Sequence, residues 1–136
     1  MVGKAFRVIT KTALKKKLDK ICSKIVRARG KCEHCGSRKN LQTAHIFSRS
    51  HLNTRWDLDN LLCLCLKCHL YWAHKNPIEF AEWVKEYLGE EKYEVLLEAH
   101  NQTYKPTIED LQAKLQVLEK IARKKRERRG NINIYL

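Results

Sequence analysis

Two prolines and five glycines are all that 136 residues contain, and the chain shows neither an internal repeat nor a low-complexity linker, which excludes repeat arrays and proline-rich spacers. No apolar run is long enough to cross a bilayer. The opening stretch MVGKAFRVITKTALKKKL lacks a continuous apolar segment ending at a small-residue cleavage site, so it does not read as a secretion signal. A reducing cytoplasm is therefore the expected compartment, and no membrane partner is expected. Acidic residues are also scarce, 15 Asp and Glu against 28 Lys and Arg, for a net charge of +13.

That scarcity is local. Residues 1 to 31 hold eleven Lys and Arg against Asp19 alone, and residues 120 to 129 hold seven against Glu127, while the middle nets −3. Arms of this kind neutralise phosphates and release counterions, giving strong binding to a polyanion with little sequence preference. Solvated helix faces or attraction to an anionic membrane surface are the plainer alternatives. DNA is the expected partner.

The length suits about one domain. Leu14, Leu18, Ile21, Cys22, Ile25 and Val26 recur at spacings of three and four, which predicts an amphipathic helix from Thr12 to Arg29, with Gly30 as its stop. Short segments around Lys39 to Phe47 and Arg55 to Asn60 suit a small hairpin or loop. Leu66 to Ala73 reads as a short helix. Asn76 and Pro77 read as the N-cap and first residue of a helix that stops at Gly89, and Glu90 to His100 as a further helix. Asn101 to Pro106 reads as a joint. Thr107-Ile108-Glu109-Asp110 resembles a capping box; Ile108, Leu111, Leu115, Leu118 and Ile121 continue one stripe, to be covered by the N-terminal helix or by a second copy of the chain, the first being preferred.

Cys32 and Cys35 form one C-x-x-C pair and Cys65 and Cys68 another. Such thiols can be buried small hydrophobes, two local disulfides, or four ligands of a tetrahedral ion. Two pairs at ligand spacing argue against coincidence, and the missing secretion signal argues against disulfides. A structural Zn²⁺ is expected, held by four thiolates, contributing roughly 10–16 kcal/mol of folding free energy as in small zinc modules. Cys22 and Cys63 read as packing thiols. His34 lies inside its turn, but four cysteines already saturate zinc.

His45, His51, Asn60, His69 and His74 remain, all within thirty residues. A structural staple does not need them. AHIF at Ala44 to Phe47, Asn60, and CLKCH ending at His69 resemble the H-N-H signature of ββα-metal endonucleases, of the variety with a four-cysteine zinc knuckle. The spacings, 15 from His45 to Asn60 and 9 from Asn60 to His69, are typical of it. From the first C-x-x-C through HIFSRSHLNTRWDLDN, the second knuckle pair, His74-Lys75-Asn76-Pro77 and KPTIEDL, the chain is similar to the NinG/Rap family of phage recombination nucleases, over roughly residues 30 to 125.

The resemblance implies an α+β fold: a mainly helical small domain with a central ββα-metal motif and a zinc knuckle, flanked by basic terminal helices. Its parts would be a basic N-terminal helix (1–31), a nuclease core (32–76) and a helical C-terminal region with a basic tail (77–136), all one compact domain. It implies His45 as general base, Asn60 as the residue that orients His45 and braces the loop, and His69 as ligand of a catalytic Mg²⁺ or Mn²⁺. Ala44 stands where many H-N-H enzymes place a second metal ligand. His74 is the substitute expected, although five residues on an α-helix is about 140° around the axis, so the helix must loosen; Asp57, Asp59 and His51 are the other candidates. Arg49 and Arg55 are expected phosphate contacts, with solvated loop charge as the alternative. Trp56, Trp72 and Trp83 read as core residues. The implied substrate is branched DNA, a Holliday junction or D-loop, in a bacterial cell carrying the phage or prophage, and two-fold cleavage of a junction would need a homodimer. A non-catalytic zinc-knuckle DNA-binding protein and a nonspecific nicking or homing-type nuclease are the rival readings.

Overall fold

The computed structural model describes residues 8–134, with side chains to residue 128. Lys4 and Arg7 of the basic N-terminal segment and the side chain of Arg129 lie outside the described residues. The contacts of the chain group into two units, Met1–Cys22 with Pro106–Leu136, and Ser23–Lys105. Both segment boundaries expected from the sequence, at 31/32 and 76/77, fall inside the second unit.

The first unit joins most of α1 (Lys11–Arg27) to α5 (Ile108–Ile134). Thr10 opens α1 by accepting the Ala13 N–H on its hydroxyl at 3.1 Å, which satisfies one of the helix's orphan donors. At α5 the capping box forms with aspartate in the acidic position: the Asp110 N–H donates to the Thr107 hydroxyl at 3.1 Å, and the Asp110 carboxylate accepts the Thr107 N–H at 2.9 Å. Leu14, Leu18 and Cys22 are buried on α1, as are Leu111 and Leu118 on α5, so the two stripes read from the sequence are the buried ones. α5 runs on through Gly130.

The second unit is built on an antiparallel pair, β1 (Leu41–His45) and β2 (Leu61–Cys65), in the register Leu41↔Cys65 to His45↔Leu61. The second strand lies later than the Arg55 to Asn60 segment suggested by the sequence. That segment instead ends the short helix α2 (Leu52–Arg55) and forms a 3-10 turn over Leu58–Asn60. The physical reason is burial on both faces: all five residues of β2 are buried, so the strand carries no period-two alternation to announce it.

A π-helical segment follows over Lys67–Ala73, then α3 (Pro77–Leu88) and α4 (Glu90–Asn101). Asn76 and Pro77 start α3 where expected, and Gly89, at φ +85°, separates it from α4. The core beneath the cysteines holds Ala44, Leu62, Leu64, Ala73 and Val84, with Trp72, Phe80 and Trp83 packed around it. Trp56 is fully buried elsewhere in the unit. No described helix is long and apolar enough to cross a membrane.

Candidate functional site

The four expected cysteines converge. Cys32, Cys35, Cys65 and Cys68 have sulfurs all within 4.8 Å of one another, and Cys35 Sγ lies 3.6 Å from Cys65 Sγ. A tetrahedral zinc with bonds of about 2.3 Å sets its sulfurs about 3.8 Å apart, so the donor set and its spacing fit that ion. Each pair makes the same local turn: the Cys35 N–H points at Cys32 Sγ (3.4 Å) and the Cys68 N–H at Cys65 Sγ (3.5 Å). Gly36, at φ +81°, lets the first turn close, with its N–H on the Cys32 carbonyl at 2.9 Å. None of the six cysteines is in a disulfide, and Cys22 and Cys63 are buried away from the cluster's four sulfurs.

The thiols differ in their readiness to ionise. Burial pushes Cys32 up, but the amides of Cys35, Cys65 and His34 outweigh it and bring the group down to about 7. Burial, then the neighbouring thiols, push Cys68 far up. A divalent cation is what allows four neighbouring sulfurs to lose their protons together. His34 is not a fifth ligand by need. Its Nδ1 lies 3.2 Å from Cys68 Sγ and its ring stacks on Trp72 at 3.6 Å between centroids, the geometry of an outer N–H donor to a thiolate.

A charged knot that the sequence did not announce fastens this cluster to the sheet. Arg29 donates to Glu33 at 3.0 Å and to the carbonyls of Leu61 and Leu58 at 2.8 and 3.2 Å. Glu33 in turn accepts the Cys63 N–H at 2.6 Å and the Tyr87 hydroxyl at 2.7 Å. Burial and the neighbouring Glu33 raise the Tyr87 phenol to about 12. Arg29 and Glu33 are only four residues apart, but the other partners that tie them to the sheet and to α3 lie 29 to 54 positions away.

The histidines fall at the end of β1 and on the π-helical segment. In an α-helix His69 and His74 would diverge. Here the His74 N–H bonds the His69 carbonyl at 3.3 Å, the i→i+5 link of a π turn, and the two rings meet edge to face with centroids 4.8 Å apart. The helix loosens ahead of Pro77, as the juxtaposition requires. His69 Nδ1 is 2.7 Å from Gln42 Oε1 on β1. An amide oxygen only accepts, so Nδ1 carries the proton and the ring's lone pair is at Nε2. Burial first, then His74 and His45, lower the pKa of His69, which favours the neutral ring. Gln42 had no signal in the sequence, because a polar residue on a short strand is ordinary.

His45 is oriented by backbone. Its Nε2 lies 3.2 Å from the Arg55 carbonyl, which fixes the proton on Nε2 and the lone pair on Nδ1 in the neutral ring. Asn60, fully buried, bridges the two sides of the loop between the strands: its Oδ1 accepts the Phe47 N–H (2.8 Å), and its Nδ2 donates to the Phe47 and Thr54 carbonyls (3.1 and 2.9 Å). Both partners of the amide are consistent with one orientation. Arg55 contributes its carbonyl to His45 and rests its guanidinium 5.2 Å from the Trp56 ring centroid; Arg49 is exposed in the same loop.

Ala44 is buried opposite Leu62 and offers no ligand. Among the substitutes, Asp57 caps the 3-10 turn by accepting the Asp59 N–H at 2.9 Å. Asp59 faces Lys92 at 3.9 Å, and His51 packs against His100. His74 is the candidate whose ring lies against His69. No family model matches the chain, and neither a curated protein nor a solved structure matches it.

Proposed function

We propose that this protein is a metal-dependent DNA endonuclease of the H-N-H type that hydrolyses phosphodiester bonds. The observation that carries the proposal is the π-helical register that sets His69 beside His74, with His45 close enough to influence the charge of His69. A staple for four cysteines needs none of these three rings, and π turns are frequent at functional sites.

In this mechanism His45 Nδ1 takes a proton from the attacking water while its Nε2–H stays on the Arg55 carbonyl. Asn60 holds the loop so that this carbonyl and the end of β1 keep their separation. His69 Nε2 and the His74 ring would hold Mg²⁺ or Mn²⁺, which supplies electrostatic stabilisation of the charge on the scissile phosphate and the leaving 3′ oxygen. Cys32, Cys35, Cys65 and Cys68 hold a structural zinc. Arg49 and Arg55 contact phosphates, and the basic ends give affinity for DNA of any sequence. The resemblance to the NinG/Rap nucleases extends the proposal to Holliday junctions and D-loops, cut by a homodimer in the cytoplasm of a phage-carrying bacterium.

Ala44 favours the second reading, a zinc-knuckle protein that binds DNA without cutting it. A nicking assay decides between them, using labelled four-way-junction and linear duplex DNA with Mg²⁺, Mn²⁺ or EDTA and comparing wild type with His45→Ala after zinc content and fold are matched. Metal-dependent cleavage that disappears in His45→Ala supports the endonuclease. Equal DNA binding with no cutting under any metal replaces it with the binding protein. Similar rates on junction and linear DNA remove the branch preference and leave a nonspecific nicking enzyme.

A further inference from the structure

The loop from His45 to Asn60 carries a second feature that the hydrolytic centre does not use. Between α2 and the end of α4 lies a cavity of about 410 Å³, lined by His51, Asn53, His100, Gln102 and Tyr104 among others, within the range of small-ligand pockets. A ladder of rings leads to it. Tyr93 packs on Phe47 with centroids 5.8 Å apart, Phe47 stacks on His100 at 4.6 Å, and His100 meets His51 at 4.0 Å. His51, at the end of the ladder, is exposed.

We propose that this cavity receives one unpaired nucleobase of the DNA, stacked on His51, an inference that rests on the endonuclease reading above. The chemistry of the walls selects the ligand. No Lys or Arg lines the cavity, so a phosphate has no counter-charge there. What is present is a ring to stack on and amides at the edge, the pairing by which unstacked bases are held. Asn53, whose amide N–H groups bond the Ala99 and Gln102 carbonyls, contributes an amide to the lining.

Position links this cavity to the hydrolytic centre. Arg55 joins the two: its carbonyl holds His45 Nε2 at 3.2 Å, and its N–H bonds the His51 carbonyl at 3.1 Å. Arg55 thus links the base histidine and the backbone of the stacking histidine within one loop. A strand cut at His45 would pass the same loop that carries His51, and a fully paired duplex would have to unpair a base before His51 could stack on it.

The test uses a duplex with a single unpaired 2-aminopurine and the same duplex fully paired, in EDTA at fixed salt, so that binding is read without cleavage. The wild type is expected to bind the unpaired form more tightly and to quench its fluorescence. His51 makes no side-chain cap hydrogen bond, so His51→Ala leaves the helix start intact. This variant is expected to lose about five- to a hundred-fold in affinity for the unpaired form together with the quenching, while binding the paired duplex as before; His51→Phe should restore both. Equal wild-type affinity for the two duplexes, or an unchanged His51→Ala, overturns the base pocket and leaves the endonuclease reading standing. Absence of binding to either duplex overturns both.

Discussion

Gln42→Leu removes one acceptor and tests how His69 is held. In the native protein the half-buried His69 Nδ1–H donates to Gln42 Oε1 at 2.7 Å, so the ring has no choice of tautomer and Nε2 keeps its lone pair. Leucine has similar volume and no acceptor. The ring then either leaves a partly buried donor unsatisfied, at about 1–3 kcal/mol, or moves the proton to Nε2 and loses the lone pair proposed to hold the metal. Loss of such an outer partner costs about 10- to 100-fold in metal affinity or activity, equivalent to about 1.4–2.8 kcal/mol. Nitrogen-15 NMR of the histidine rings reads the tautomer in the absence of divalent ion, and a Mn²⁺ titration of cleavage reads the affinity. Gln42→Glu keeps an acceptor and adds charge, so it should hold the Nδ1–H form and raise the His69 pKa. If Gln42→Leu retained both the Nδ1–H tautomer and the native Mn²⁺ midpoint, the bond would have no part in positioning His69.

Four further outcomes are expected. His74→Ala should shift the Mn²⁺ dependence of cleavage to higher concentration by at least about ten-fold; normal cutting at low metal concentration would remove His74 from the ligand set. Glu33→Ala leaves the Cys63 N–H and the Arg29 guanidinium without their carboxylate, and urea unfolding should show a loss of about 3–5 kcal/mol, towards the lower end because Arg29 keeps the Leu58 and Leu61 carbonyls; a change under about 0.5 kcal/mol would show that the knot is not structural. Stripping zinc with a chelator at pH 7 should unfold the region around the cysteines, visible as lost circular dichroism that returns when zinc is added, and retention of the full signal would sink the structural role. The pH dependence follows from His69 and His100, both lowered below the ordinary 6.5, chiefly by burial: a neutral ring is favoured in the folded state, so the contribution is complete above about pH 6.5 and fades as pH falls through the depressed folded values. Urea midpoints that stay flat from pH 7 to about pH 5 would contradict it.

The parts of this chain that announce themselves in sequence are those whose physics is local. A C-x-x-C turn brings two sulfurs together by itself, and Thr107 and Asp110 satisfy each other three residues apart. Amphipathic stripes on α1 and α5 appear because a helix repeats every 3.6 residues whatever covers it. β2 escapes notice for the opposite reason: LLCLC is buried on both faces, and a uniformly apolar run of five does not distinguish strand from helix. Gln42, Glu33 and Arg29 escape it because, apart from the Arg29–Glu33 pair itself, the partners that give them a role lie 27 to 54 residues away.

The His69 and His74 pair lies between these cases. Its five-residue spacing argues against a shared ligand on an α-helix, and the same spacing becomes favourable once the hydrogen bonds run i→i+5. Nothing in KCHLYWA forbids an ordinary α-helix, so the wider turn must be stabilised by its surroundings. Two contacts hold it: Trp72 is clamped between the His34 ring and Trp83, and the Asn76 N–H bonds the Trp72 carbonyl at 2.8 Å ahead of Pro77. Because His34 also touches Cys68, the cysteine cluster and the histidine pair share a wall. Zinc bound at the four sulfurs would therefore fix Trp72, and through it the register that brings His74 to His69. On that geometry Trp72→Ala should weaken Mn²⁺-dependent cleavage while zinc content stays near stoichiometric, whereas a variant with normal cleavage would show that the π turn holds its register without this wall.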